Sequence, residues 1–145
     1  MDAKPLDNGN VCVTINWVVE VLEYLDENGR SPYAKWFDGL KAQAAAKVAT
    51  ALTRISQGNL SNVKGVDSGI FEYRIDFGPG YRIYFGKDGE QLVILLAGGT
   101  KKRQQQDIET AVVRWQDYKQ RKKKNEEESK KWHSHATSKK PSRLE

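Results

Sequence analysis

The chain has 145 residues, 38% of them apolar, and a formal charge of +5, enough for one domain with a modest core and hardly enough for two. A single cysteine, Cys12, excludes an internal disulfide, and no run of about eighteen apolar residues is present to span a membrane. The opening MDAKPLDNGN lacks the cationic and apolar regions of a secretory signal, so a cytoplasmic home is expected.

Residues 1–12 read as a flexible N-terminus, residues 13–124 as one domain and residues 125–145 as a basic, disordered tail. The tail carries the charge. From Lys119 to Glu145 ten Lys or Arg face four Glu, a net +6, while residues 11–118 balance. Such an arm is either solvated or a nucleic-acid contact. Within the domain, the Val, Ile, Trp and Tyr of VTINWVVEVLEYL predict a strand around residues 17–25. Ser31 is suited to cap a helix and Pro32 to its first position; Trp36, Phe37 and Leu40 supply its apolar stripe. A second helix follows on Val48, Leu52 and Ile55, with Gly58 placed to end it. NLSNVKGVDSG reads as a loop. A meander comes next. In 71–77 and 81–85 the odd positions are apolar or aromatic and the even ones are Glu72, Arg74, Asp76, Arg82 and Tyr84. Strand side chains alternate faces, so the odd set is expected in the core and the even set outside. A turn at Gly78–Pro79–Gly80 that pairs Phe77 with Tyr81 sets Asp76 opposite Arg82 and Arg74 opposite Tyr84. Leu92 to Ala97 is continuously apolar, as in a strand covered on both faces; Gly98 and Gly99 are expected to break it. A last helix from about Gln104 presents Ile108, Ala111, Val112, Trp115 and Tyr118. The order βααβββα predicts an α+β domain: a small, mostly antiparallel sheet with an N-terminal helical hairpin and a C-terminal helix.

The chemistry open to this chain is narrow. Its only histidines, His133 and His135, lie in the tail and its cysteine near the other end, so neither a zinc ligand spacing nor a histidine-based triad exists. No phosphate-loop pattern is present. What remains is a strand face rich in cations and tyrosines. Such a face is either a solvated back or an anion site, because arginine forks match phosphate oxygens bidentately. Cleavage of RNA through its own 2′-hydroxyl needs a base, an acid and a cationic clamp, and no metal.

SPYAKWFDGL (31–40), FEYRIDFGPGYRIYF (71–85) and LVILLAGGTKKRQQQDIETA (92–111) resemble the addiction-module killer proteins of the RelE/ParE toxin superfamily, close to the HigB-like group, over about residues 17–118. The resemblance implies a RelE-like fold and the toxin of a type II toxin–antitoxin module. It further implies metal-free, cofactor-free cleavage of mRNA on the ribosome. The implied silencing partner is a cognate antitoxin, often a helix-turn-helix DNA-binding protein. Arg82 stands at the catalytic arginine of the family's Gly-Tyr-Arg segment, and Tyr73–Arg74 at its Tyr-Lys position. Lys102 stands at the basic residue after the last strand. Asp76 replaces a lysine, and the C-terminal tyrosine base falls at Ile108, so Tyr84 is the substitute. The expected catalytic set is Arg74, Arg82, Tyr84 and Lys102, with Lys64, Lys101 and Arg103 as RNA contacts. A ParE-like toxin that binds gyrase without chemistry, and an inactivated relative that only binds its antitoxin, are the alternatives.

Overall fold

The computed structural model describes residues 18–138. The N-terminal residues expected to be flexible, with Cys12 and Trp17, and the last seven residues of the expected tail lie outside that range. Five strands form one sheet in the order β1-β5-β4-β3-β2: β1 (Glu20–Glu23), β2 (Val63–Asp67), β3 (Ile70–Ile75), β4 (Tyr81–Lys87) and β5 (Leu92–Thr100). Only β1 and β5 run parallel; every other pair is antiparallel. Helices α1 (Pro32–Asp38) and α2 (Ala42–Ser56) cover one face, and α3 (Gln104–Ser138), entered through a 3-10 turn at Lys101–Arg103, crosses the other. The class is α+β, as the order of elements implied.

Local chemistry accounts for the helical hairpin. The Ser31 hydroxyl accepts from the Ala34 N–H at 3.0 Å, and Pro32 follows at the first helical position. Past α2, Gly58 adopts φ +80°, a conformation that L side chains rarely take. Val48 and Ile55 are fully buried against Tyr73, Ile83, Phe85 and Leu95, each contributing about 1.5–3 kcal/mol of apolar burial. β5 is covered on both sides: Val93 and Leu95 join this core, while Ile94 and Leu96 meet Ala111 and Trp115 of α3.

Three expectations are corrected. The segment read as a loop contains β2, an edge strand whose pairing slips between Gly65 and Asp67, so its apolar residues lose the two-residue period. Gly98 and Gly99 do not break β5, which runs on to Thr100. Without Cβ atoms they admit a Trp36 ring on one face and the Asp107 carboxylate on the other, both of which a Cβ would strike. The even face of the meander is only partly outside: α3 lies over it, and Glu72, Arg82 and Tyr84 are buried while Arg74 and Asp76 are exposed. Helix α3 runs on through Ser138, and every side chain from Lys119 to Ser134 is exposed. Pairs one turn apart, Asp117 with Arg121 and Lys122 with Glu126, support that exposed helix.

Two contacts tie α3 to the β4–β5 hairpin. The Tyr118 hydroxyl and the Lys122 ammonium each donate to Asp88, both at 2.7 Å. The Lys122 bond, then the Tyr118 bond, hold the Asp88 carboxyl below its ordinary value. A carboxyl with a lower folded than unfolded pKa stabilises above the ordinary carboxylate range and loses that contribution as pH falls through it. Asp88→Asn is therefore expected to cost about 1 kcal/mol at neutral pH, with the difference starting to shrink as pH falls to about 4 and gone once it is below the depressed folded value. Urea unfolding of both proteins across pH checks this; an equal deficit at every pH would contradict it.

Candidate functional site

Strands β3 and β4 set the site. Their register places Arg74 opposite Arg82 and Glu72 opposite Tyr84, because residues 76–80 form the connection and Ile75 pairs with Tyr81. The register expected from the sequence was two residues off, though the side chains keep their shared face. Two arginines directly opposite each other repel. Glu72 answers that repulsion from beneath. Its carboxylate is fully buried; one oxygen accepts from Arg74 Nε at 3.2 Å, and the other accepts from Gln104 Nε2 at 2.6 Å and lies 3.6 Å from Arg82 Nε. The last contact is ionic and too long for a hydrogen bond. Glu72, not Asp76, is thus the carboxylate that meets Arg82.

Above this buried anion opens a cleft of about 540 Å³, lined by Lys64, Arg74, Asp76, Gly80, Arg82 and Lys101. Four cations face one carboxylate. The Lys101 N–H donates to the Gly80 carbonyl at 2.7 Å and closes one end. Both arginines turn Nε toward Glu72, and among the described residues their Nη groups have no hydrogen bond. Such donors suit a phosphate or carboxylate. Among the described residues, no three His, Cys, Asp or Glu side chains come together in a way that could hold a metal ion.

The structure therefore brings Lys64, Arg74, Arg82 and Lys101 to one cleft. Lys102 and Arg103 are exposed on the 3-10 turn outside it, and Arg103 lines a different cleft beyond the turn. Tyr84 is fully buried beside α3, with no hydrogen-bond partner for its hydroxyl among the described residues. Burial, and then the nearby Glu72 charge, push its phenol well above the ordinary value. Tyr84 does not line the cleft and is buried where the alternation placed it outside. Two residues of the site escaped the sequence reading. Glu72 could have been noticed as one of the two carboxylates, with Asp76, that stand two places from Arg74 on the same face. Gln104 gave no signal, being 32 positions away.

Comparison with known proteins places residues 35–116 within the model of the Gp49-like phage-derived protein family. An uncharacterized protein of Haemophilus influenzae (strain Rd) is 42% identical over 64 residues, covering 43% of this chain and 65% of that protein, just under two thirds of its length. A chain of the toxin–antitoxin complex RelBE2 from Mycobacterium tuberculosis is similar with a TM-score of 0.40 and 15% identity, over 58% of this chain and 92% of that one.

Removing the buried carboxylate leaves Arg82 uncompensated. Glu72→Gln is expected to cost about 3–5 kcal/mol of stability. Arg74→Ala, at a side chain 49% exposed, is expected to cost less than about 1 kcal/mol. Denaturant unfolding of the two variants reads the difference; equal, small losses would contradict the central place of Glu72.

Proposed function

The chain belongs to the Gp49-like family of phage-derived proteins, and from that premise and the cationic cleft we propose that it is the toxin of a type II toxin–antitoxin module and a metal-independent endonuclease acting on ribosome-bound mRNA. The observation that carries the reading is the cleft itself: Lys64, Arg74, Arg82 and Lys101 around a single rim carboxylate, with the arginines oriented from below by Glu72. The resemblance of 71–85 and 92–111 to RelE-type toxins supports it.

In this reading the scissile phosphate lies on the Nη groups of Arg74 and Arg82. The adjacent 2′-oxygen attacks phosphorus and the bond to the 5′-oxygen breaks, leaving a 2′,3′-cyclic phosphate and a free 5′-hydroxyl. Fixed guanidinium donors favour the extra negative charge of the transition state without reorganising. With Tyr84 buried, Asp76 is the lining group able to take the 2′ proton, and the Lys64 or Lys101 ammonium returns one to the leaving oxygen. The replacement of a lysine by Asp76 then becomes a substitution of function: a base in place of a clamp. The partner would be an antitoxin that covers the cleft and stabilises the toxin by mass action. Burial of Tyr84 also favours a second reading, a ParE-like toxin that uses the same face to bind gyrase without chemistry.

Arg74 is the position to test, because Arg82 is too deeply paired to be removed without disturbing the fold. Arg74→Ala is expected to fold and to lose about a hundred- to a thousandfold in cleavage rate, with Arg74→Lys restoring part of it, since an ammonium cannot make the bidentate contact. Primer extension on mRNA from cells expressing each variant is the measurement. A folded Arg74→Ala that cleaves as the wild type does would overturn the clamp; a wild type that inhibits gyrase and cleaves nothing would leave the second reading.

A further inference from the structure

A second cleft, of about 600 Å³, lies past the 3-10 turn. Trp36 and Tyr81 contribute half-buried rings to it, tilted 60° to each other with centroids 6.5 Å apart. Lys35, Arg103 and Arg114 supply cations and Asp107 one carboxylate. Each is held for a local reason. Trp36 rests on β5 because Gly98 has no Cβ, and Asp107 packs on Gly99 in the same way. Arg114 Nη1 donates to the Leu96 carbonyl at 2.8 Å, at the one residue of β5 that the slip between Tyr84 and Phe85 leaves without a partner on β4. Arg103 Nε stands 3.8 Å from Asp107. Burial pushes the Asp107 carboxyl up, with Arg103 and then Arg114 opposing that shift.

The two clefts share no lining residue but are walled by neighbours in the chain. Consecutive residues of β4 wall them: Tyr81 packs on the α1 side of the sheet, while Arg82, on the other face, meets Glu72. The turn between them carries three successive exposed cations. Lys101 lines the first cleft, Arg103 lines the second, and Lys102 sits between them in the chain.

We propose that the second cleft is a base-stacking subsite of a single-stranded RNA track: the backbone of a chain held in the first cleft passes over Lys101, Lys102 and Arg103, and a neighbouring base lies against Trp36 and Tyr81. This rests on RNA being the ligand of the first cleft. Aromatic faces accept any base, which suits a strand read by position more than by sequence. Lys35 and Arg103 flank the rings at the cleft's exposed rim and match the next phosphates. An acidic peptide would also suit these cations, but the three successive exposed cations of the turn between the clefts favour the nucleic acid.

Binding of non-cleavable 2′-O-methyl RNA to the full chain, as a dinucleotide and as an octanucleotide, tests the assignment. The wild type should bind the longer strand more tightly. Tyr81→Ala should weaken the octanucleotide roughly five- to a hundredfold and leave the dinucleotide unchanged. Lys35→Ala, at an exposed position, should weaken the octanucleotide severalfold and lower its salt slope by about 0.7. Arg74→Ala should weaken both strands. If Tyr81→Ala and Lys35→Ala bind the octanucleotide as the wild type does while Arg74→Ala loses both strands, the subsite is wrong and the first cleft stands. The same holds if Lys35→Ala instead loses an acidic peptide. If the wild type binds neither strand, the RNA reading fails and the subsite with it.

Discussion

A fully buried carboxylate, Glu72, is the constraint on which the rest of this site depends. Burying an ion costs several kcal/mol unless charge and hydrogen bonds compensate. Here compensation comes from three directions: Arg74 on its own strand, Arg82 across the hairpin and Gln104 at the start of α3. The need is mutual. Two guanidinium groups directly opposite each other on paired strands repel, and Glu72 offsets that repulsion. Gln104 extends the consequence to the helix. By bonding the carboxylate it fixes where α3 begins, and so where the preceding turn presents Lys101, Lys102 and Arg103.

The covering of that face by α3 decides the rest of the chemistry. Trp115 lies over Gly86, where a Cβ would come within 2.5 Å of its ring, and Ala111 packs with Tyr84 and Leu96. Tyr84 is thereby withdrawn from solvent and raised in pKa. Arg82 is mostly buried yet lines the cleft, and Arg74 and Asp76 remain exposed at the rim. The open part of the face is only the end of the strands beyond the reach of the helix. A functional reading of the cleft thus turns on residues at strand ends, with the middle of the sheet serving as core.

What was legible in the sequence follows the range of the forces involved. The cap at Ser31, the proline after it, the glycine after α2 and the two-sided burial of Leu92–Ala97 all arise within a few residues, and the structure bears them out. The alternation in 71–77 and 81–85 correctly separated the two faces of the hairpin. It could not say that the polar face would be roofed, because that depends on where the apolar stripe of α3 lands, some thirty residues later. The register failed because a five-residue connection looked like a tight turn around Gly78–Pro79–Gly80. β2 failed because a slipped edge strand loses the period by which strands are recognised. The cationic cluster was half legible: Arg74 and Arg82 were seen as a pair, while the anion between them was passed over.

The central claim is that a cleft of four cations, preset by Glu72, receives a phosphodiester chain. Its most direct test is the salt dependence of binding to a short single-stranded RNA. Neutralising four phosphates predicts a slope of about −3 in log K against log salt, falling in magnitude by about 0.7 when Arg74 is replaced by Ala. A wild-type slope near zero, or one that Arg74→Ala leaves unchanged, would contradict the account.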